Sequence, residues 1–134
     1  MATQIRKLAS DSLYFEVLPS AARTTDPDPQ EFELSGRGYE YTGGLVLIID
    51  ATAVTATPAL TVTVSGVDRV SGKLFTILAS AVIATAVTTV LKIGPGLTAA
   101  ANLAVNDRLP PVFRVTCSHG DADSITYSVG AMLT

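Results

Sequence analysis

The chain has 134 residues but only one cysteine, one histidine and no tryptophan, and each shortage removes a class of function. A single cysteine forms no internal disulfide, which agrees with synthesis in a reducing cytoplasm. One histidine leaves His119 as the sole imidazole base for a hydrolase nucleophile, and no G-x-S-x-G accompanies it. Structural zinc takes four ligands, usually in paired spacings, and the lone C-x-H of Cys117 and His119 falls short of that even with Asp121 and Asp123 nearby. A calcium loop needs six or more oxygens at a defined spacing, and HGDAD supplies too few. Glu31, Glu33, Glu40 and Asp50 read as solvated carboxylates rather than a glycosidase pair, because the usual sugar platform, tryptophan, is missing. Neither GRG (36–38) nor GPGLT (94–98) precedes a helix in a nucleotide-binding context. The expectation is a non-enzymatic protein with no catalytic residues, no cofactor and no metal.

Long hydrophobic runs are absent as well. GLVLII and ASAVIATAV are far shorter than the ~20 residues that cross a bilayer as a helix, so no membrane partner is expected despite a mean hydropathy of +0.41. The stretch MATQIRKLASDSLYFEV has no apolar block followed by a small-residue cleavage site, so a cytoplasmic site of synthesis is expected. The net charge is −3. Residues 1–41 carry seven acidic and four basic residues, while 42–134 balance at five of each. With no basic stripe to displace counterions from phosphates, nucleic acid is not an expected partner.

What is present is a succession of strand patterns. In ALTVTVSG, Leu60, Val62 and Val64 share one face and Thr61, Thr63 and Ser65 the other, as the two-residue pleat requires. GGLVLIIDA is an apolar run that suits a strand buried on both faces. KLFTILAS follows the reversal at Ser71 and Gly72 and is expected to pair antiparallel with its predecessor. AVTTVLKIG ends at GPG, and the small-residue stretch LTAAANLAVND reads as a loop. QEFELS, VFRVTC and SITYSV bring the number to about seven strands, and LYFEVL to eight. This pattern predicts an all-β, two-sheet antiparallel sandwich, jelly-roll-like, over residues 31–134.

The first thirty residues read as an extended arm crossing the surface or a neighbouring subunit, because TTDPDPQ cannot join a central sheet. A helix over IRKLASDSLY is a further possibility. Five of the eight aromatics, Tyr14, Phe15, Phe32, Tyr39 and Tyr41, fall in the first third. They either cap the sandwich core or dock the arm onto another subunit.

The stretch RVTCSHGDADSITYSVG (114–130) holds the only Cys and His, and parity resolves it as a final β-hairpin. Phe113, Val115 and Cys117 point inward, Ile125, Tyr127 and Val129 answer them, and HGDAD forms an exposed turn. Replacing His119 or Asp121 is then expected to leave folding almost untouched.

Certain features of residues 43–134 form a pattern: the apolar strand ending in Asp50, T-P-x-L-T-V at 57–62, G-x-D…S-G-K at 66–73 and S-V-G-A at 128–131. In this pattern the chain resembles small virion proteins of tailed bacteriophages, of the capsid decoration or cement type. The resemblance implies a structural protein on the outer capsid surface of a virion, a homo-oligomer (dimer or trimer) whose partner is the major capsid protein. A receptor- or glycan-binding module of a phage tail or fibre is the alternative.

Overall fold

The computed structural model describes residues 3–8, 13–34 and 43–134. Ten strands follow in order: β1 (Gln4–Lys7), β2 (Tyr14–Arg23), β3 (Gln30–Glu33), β4 (Leu45–Val54), β5 (Leu60–Val67), β6 (Leu74–Ala79), β7 (Thr88–Gly94), β8 (Ala104–Asn106), β9 (Val112–His119) and β10 (Ile125–Leu133). They form two five-stranded sheets, β1-β3-β9-β5-β6 and β2-β10-β4-β7-β8. No helix occurs among the described residues. The molecule is the all-β sandwich expected, antiparallel except at two edges, where β1 joins β3 and β8 joins β7 in parallel.

The inner faces follow the parity of the sequence. Val62, Val64, Phe113, Val115 and Cys117 from one sheet meet Leu47, Ile49, Ile125, Tyr127 and Val129 from the other, all of them buried. At one end, Phe32 stacks on Phe113 with centroids 5.3 Å apart, and Phe15 reaches it from the opposite sheet at 4.9 Å. Removing these apolar surfaces from water is the main force that holds the layers together.

The hairpin β5–β6 closes as expected. Gly72 adopts a φ of 77°, its amide donates to the Asp68 carbonyl, and the two strands pair antiparallel. Gly66 has a second role, since the Phe75 ring from β6 lies where any Cβ at position 66 would sit.

Four expectations are corrected. First, β9 and β10 form no hairpin: β9 pairs with β3 and β5, and β10 pairs with β2 and β4 in the other sheet. The connection is an arch that passes between the sheets, and the two inward faces meet across the core instead of sharing a ladder. Second, β4 is buried on one face only; Leu45, Leu47 and Ile49 point inward while Val46, Ile48 and Asp50 are half-exposed, because no described residue covers the outside of its sheet.

Third, the N-terminal segment is extended but lies on its own sandwich, with β1 at the edge of one sheet and β2 at the edge of the other. Arg6 fastens the two, donating to the carbonyls of Glu16 and Val17 and to Gln30 Oε1, each at 2.8 Å, with its guanidinium 4.7 Å from the Phe32 centroid. The expected helix over IRKLASDSLY is replaced by strand at Gln4–Lys7 and from Tyr14 onward, its middle lying outside the described residues. Fourth, the loop LTAAANLAVND contains the short strand β8.

One ion-pair network braces the outer face of the first sheet. Glu31 on β3, expected from sequence to be solvated, is instead buried; it accepts from Arg114 of β9 at 2.9 Å and 3.2 Å, while Arg69 of the β5–β6 turn lies 3.4 Å from its other oxygen and 3.1 Å from Glu33. Two cations beside a buried carboxylate offset its desolvation. Arg114→Met should cost about 2 kcal/mol, because Glu31 loses its two-pronged partner while Arg69 remains. Arg69→Ala, more exposed, should cost under ~1 kcal/mol. Urea unfolding of the two variants checks the order.

Candidate functional site

The arch between β9 and β10 is where the chain concentrates its reactive side chains. His119 ends β9, and its Nε2 lies 3.0 Å from the hydroxyl of Tyr127, which stands on the inner face of β10. Its backbone amide donates to Asp26 Oδ1 at 2.6 Å. Arg23, at the end of β2, donates to the Tyr127 carbonyl at 2.7 Å and lies 4.6 Å from the centre of its ring. Asp123 donates its amide to Asp121 Oδ1 and accepts the amide of Thr57. Most of these bonds tie one loop to another at this end of the sandwich.

The electrostatics argue against nucleophilic chemistry. Burial pushes the Cys117 thiol up to about 12, outweighing the lowering effect of its bond with Tyr127 and of nearby Arg23. Burial also raises the Tyr127 phenol, with neighbouring Cys117 adding to it. A thiol so far from ionisation is inert, whereas catalytic cysteines are held below their ordinary value. Native protein at about pH 8 should resist iodoacetamide and be labelled fully in denaturant, as read by mass spectrometry. Labelling of the native protein would contradict the burial of β9.

His119 is lowered below the ordinary 6.5, chiefly by burial, with Arg23 acting in the same direction and Asp26 and Asp121 opposing. The unfolded chain therefore binds the histidine proton more readily than the folded one. Stability is complete above the ordinary value and declines as pH falls through it toward the lower folded value. Wild type should lose thermal stability between about pH 7 and pH 5 relative to His119→Gln, which keeps a partner for the Tyr127 hydroxyl but does not titrate. His119→Ala, expected from sequence to be almost silent, should instead cost about 1 kcal/mol, because the Tyr127 hydroxyl loses its imidazole partner and keeps only the weak thiol of Cys117.

Among the described residues, no group of three His, Cys, Asp or Glu side chains lies together as a metal would require. The sequence reading located Cys117, His119, Asp121 and Asp123 but missed Arg23 and Asp26, which stand some ninety to a hundred positions away. One signal was available: a tyrosine at an inward parity position must find a partner for its hydroxyl.

The five aromatics separate into different roles. Phe32 is fully buried and Phe15 packs against the core, so both cap the sandwich. Tyr14 is 79% exposed. Tyr39 and Tyr41 lie outside the described residues. Tyr14 pairs with Met132 across β2 and β10, and Gly130 pairs with Ile48 across β10 and β4. Nothing lies within 4 Å of where a Cβ on Gly130 would sit. These side chains line a shallow groove of about 380 Å³ on the outer face of the second sheet, with Gly130 in its lining.

Compared with family models, curated proteins and solved structures, the chain matches none.

Proposed function

We propose that this protein is a capsid decoration protein of a tailed bacteriophage, seated on the outer head surface through the outer face of the β2-β10-β4-β7-β8 sheet. The observation that carries the reading is the mostly apolar groove of Tyr14, Ile48, Gly130 and Met132, with Glu16 also in its lining, which no described residue covers, on an all-β sandwich, whose sequence pattern over residues 43–134 resembles such proteins. A cement protein gains attachment from many identical weak contacts, so a shallow apolar face repeated over a lattice suffices where a deep pocket does not. By binding the assembled shell and not its parts, it stabilises the shell by mass action.

The test uses purified heads lacking the protein. Wild type should bind in a saturable stoichiometry tied to the lattice, while Gly130→Arg and Ile48→Glu, both on the half-exposed face, should abolish binding with the fold intact. Because the first thirty residues supply β1 and β2, these substitutions are a cleaner instrument than truncation. Equal occupancy by wild type and both variants would reject the assignment of this face. The alternative, a receptor- or glycan-binding module of a tail, draws on the exposed ring of Tyr14; gold labelling confined to the tail tip would favour it over the head.

A further inference from the structure

Among the described residues the sandwich has four edge strands, and three are well guarded. β1 is four residues long and ends in Lys7; β2 contains Pro19 and two register shifts along β10; β8 has three residues. Short length, charge, proline and bulges are the usual devices that stop sheet edges from pairing between molecules. β6, LFTILA, is the least guarded of the four. It has no charge and no proline, and no strand among the described residues pairs with its outer side. A bulge at Ile77 twists it, and Asn102 covers one edge carbonyl, that of Ala79.

The two ends of β6 carry complementary shapes. Before it, the β5–β6 turn ties up Asp68 and Arg69: Asp68 accepts from Ser71 and from the Val70 amide, and Arg69 turns toward Glu31 and Glu33. Val70 is left at the tip, 98% exposed. Directly after β6 lies a cleft of about 280 Å³ lined by Val82, Ile83, Ala84, Val87 and Leu103, with no charged side chain in its lining. Leu74 and the half-exposed ring of Phe75 lie on the strand between the two ends.

We infer that a second copy of this chain pairs antiparallel along β6 about a two-fold axis, each copy seating its Val70 in the cleft of the other. An antiparallel pairing of β6 centred near Thr76 and Ile77 points the turn tip that precedes β6 in one copy toward the cleft that follows β6 in the other, and by symmetry the reverse. Knob and hole are thus satisfied reciprocally, as an isologous interface requires. The electrostatics permit it: neither β6 nor the cleft after it carries a charged side chain, so no like charges meet along the pairing. The exposed parts of Val70, Leu74, Phe75, Val82, Val87 and Leu103 amount to an apolar area on the order of 500 Å², a large part of the ~800 Å² per partner in a stable dimer. Apolar patches of this size on a monomer are often functional.

This interface bears on the homo-oligomer of the proposed function but not on the capsid, and its test needs the purified protein alone. Sedimentation at up to roughly 100 μM should show a dimer, and Val70→Asp and Val82→Glu should each weaken it at least about tenfold with native circular dichroism retained. Both residues are exposed, so loss of fold is separable from loss of association. A Val70→Cys, Ala84→Cys variant should oxidise to a covalent dimer. Val70→Cys alone should not, since the two tips lie about 40 Å apart in this register. A monomer or trimer for wild type, a dimer indifferent to both charges, or cross-linking by Val70→Cys alone would each overturn the inference. Failure to bind heads would leave it standing.

Discussion

Phe32→Ala should lower stability by about 3–5 kcal/mol, the range for deleting a fully buried aromatic ring. Its ring is inaccessible, stacks on Phe113 of the neighbouring strand and touches Phe15 of the opposite sheet. The cavity is only part of the loss. Arg6 lies over the same ring, so the substitution also removes the platform that holds β1 against the sandwich. Hydrogen exchange should therefore quicken at Gln4–Lys7 more than in the centre of the sheets. Arg6→Ala and Phe32→Ala should be non-additive, since each removes the partner of the other. Phe32→Leu should recover part of the packing. Tyr14→Ala, by contrast, removes a largely exposed ring and should shift stability by no more than ~0.5 kcal/mol. Urea unfolding of the four variants separates the core aromatics from the one available for docking.

The contrast between Phe32 and Tyr14 marks what can be read from a strand sequence. Period-two alternation assigns faces, and it assigned them correctly in β5, β9 and β10, where Val62, Val115 and Tyr127 are buried and Thr63, Arg114 and Thr126 lie on the other side. Alternation carries no information about which strand lies alongside. The segment Gly120–Ser124 can turn within one sheet or arch between two, and the inward residues are the same in both cases. Hence the hairpin expectation failed while the core list survived. β1 and β8 were missed for another reason: four and three residues are too few to display a period. The apolar run of β4 misled in the opposite direction, since Val46 and Ile48 form part of a face that no described residue covers. The latch around Tyr127 depends on Arg23 and Asp26, which only the fold brings near.

Val115→Asp should abolish folding, and it is the sharpest test of the arch. Val115 is buried on the inner face of β9, paired with Gln30 on one side and Val64 on the other. A carboxylate there has no cation on its face of the sheet: Arg114 and Arg69 lie outside with Glu31, and Arg6 is committed to Glu16, Val17 and Gln30. An unpaired charge so placed costs several kcal/mol even after relaxation, and the neutral acid still buries hydroxyl and carbonyl without partners. With the volume of the isopropyl group also lost, the penalty reaches roughly 5 kcal/mol or more, comparable to the whole stability of a domain this size. Thr116→Asp is the control. One position along, it points outward beside Thr63, and it should change stability by under ~1 kcal/mol. Circular dichroism and one-dimensional proton spectra should show an unfolded chain for Val115→Asp and a native one for Thr116→Asp. If both folded, β9 would have no inner face and the sandwich would need another core; if both unfolded, the outer face would be as tightly packed as the inner.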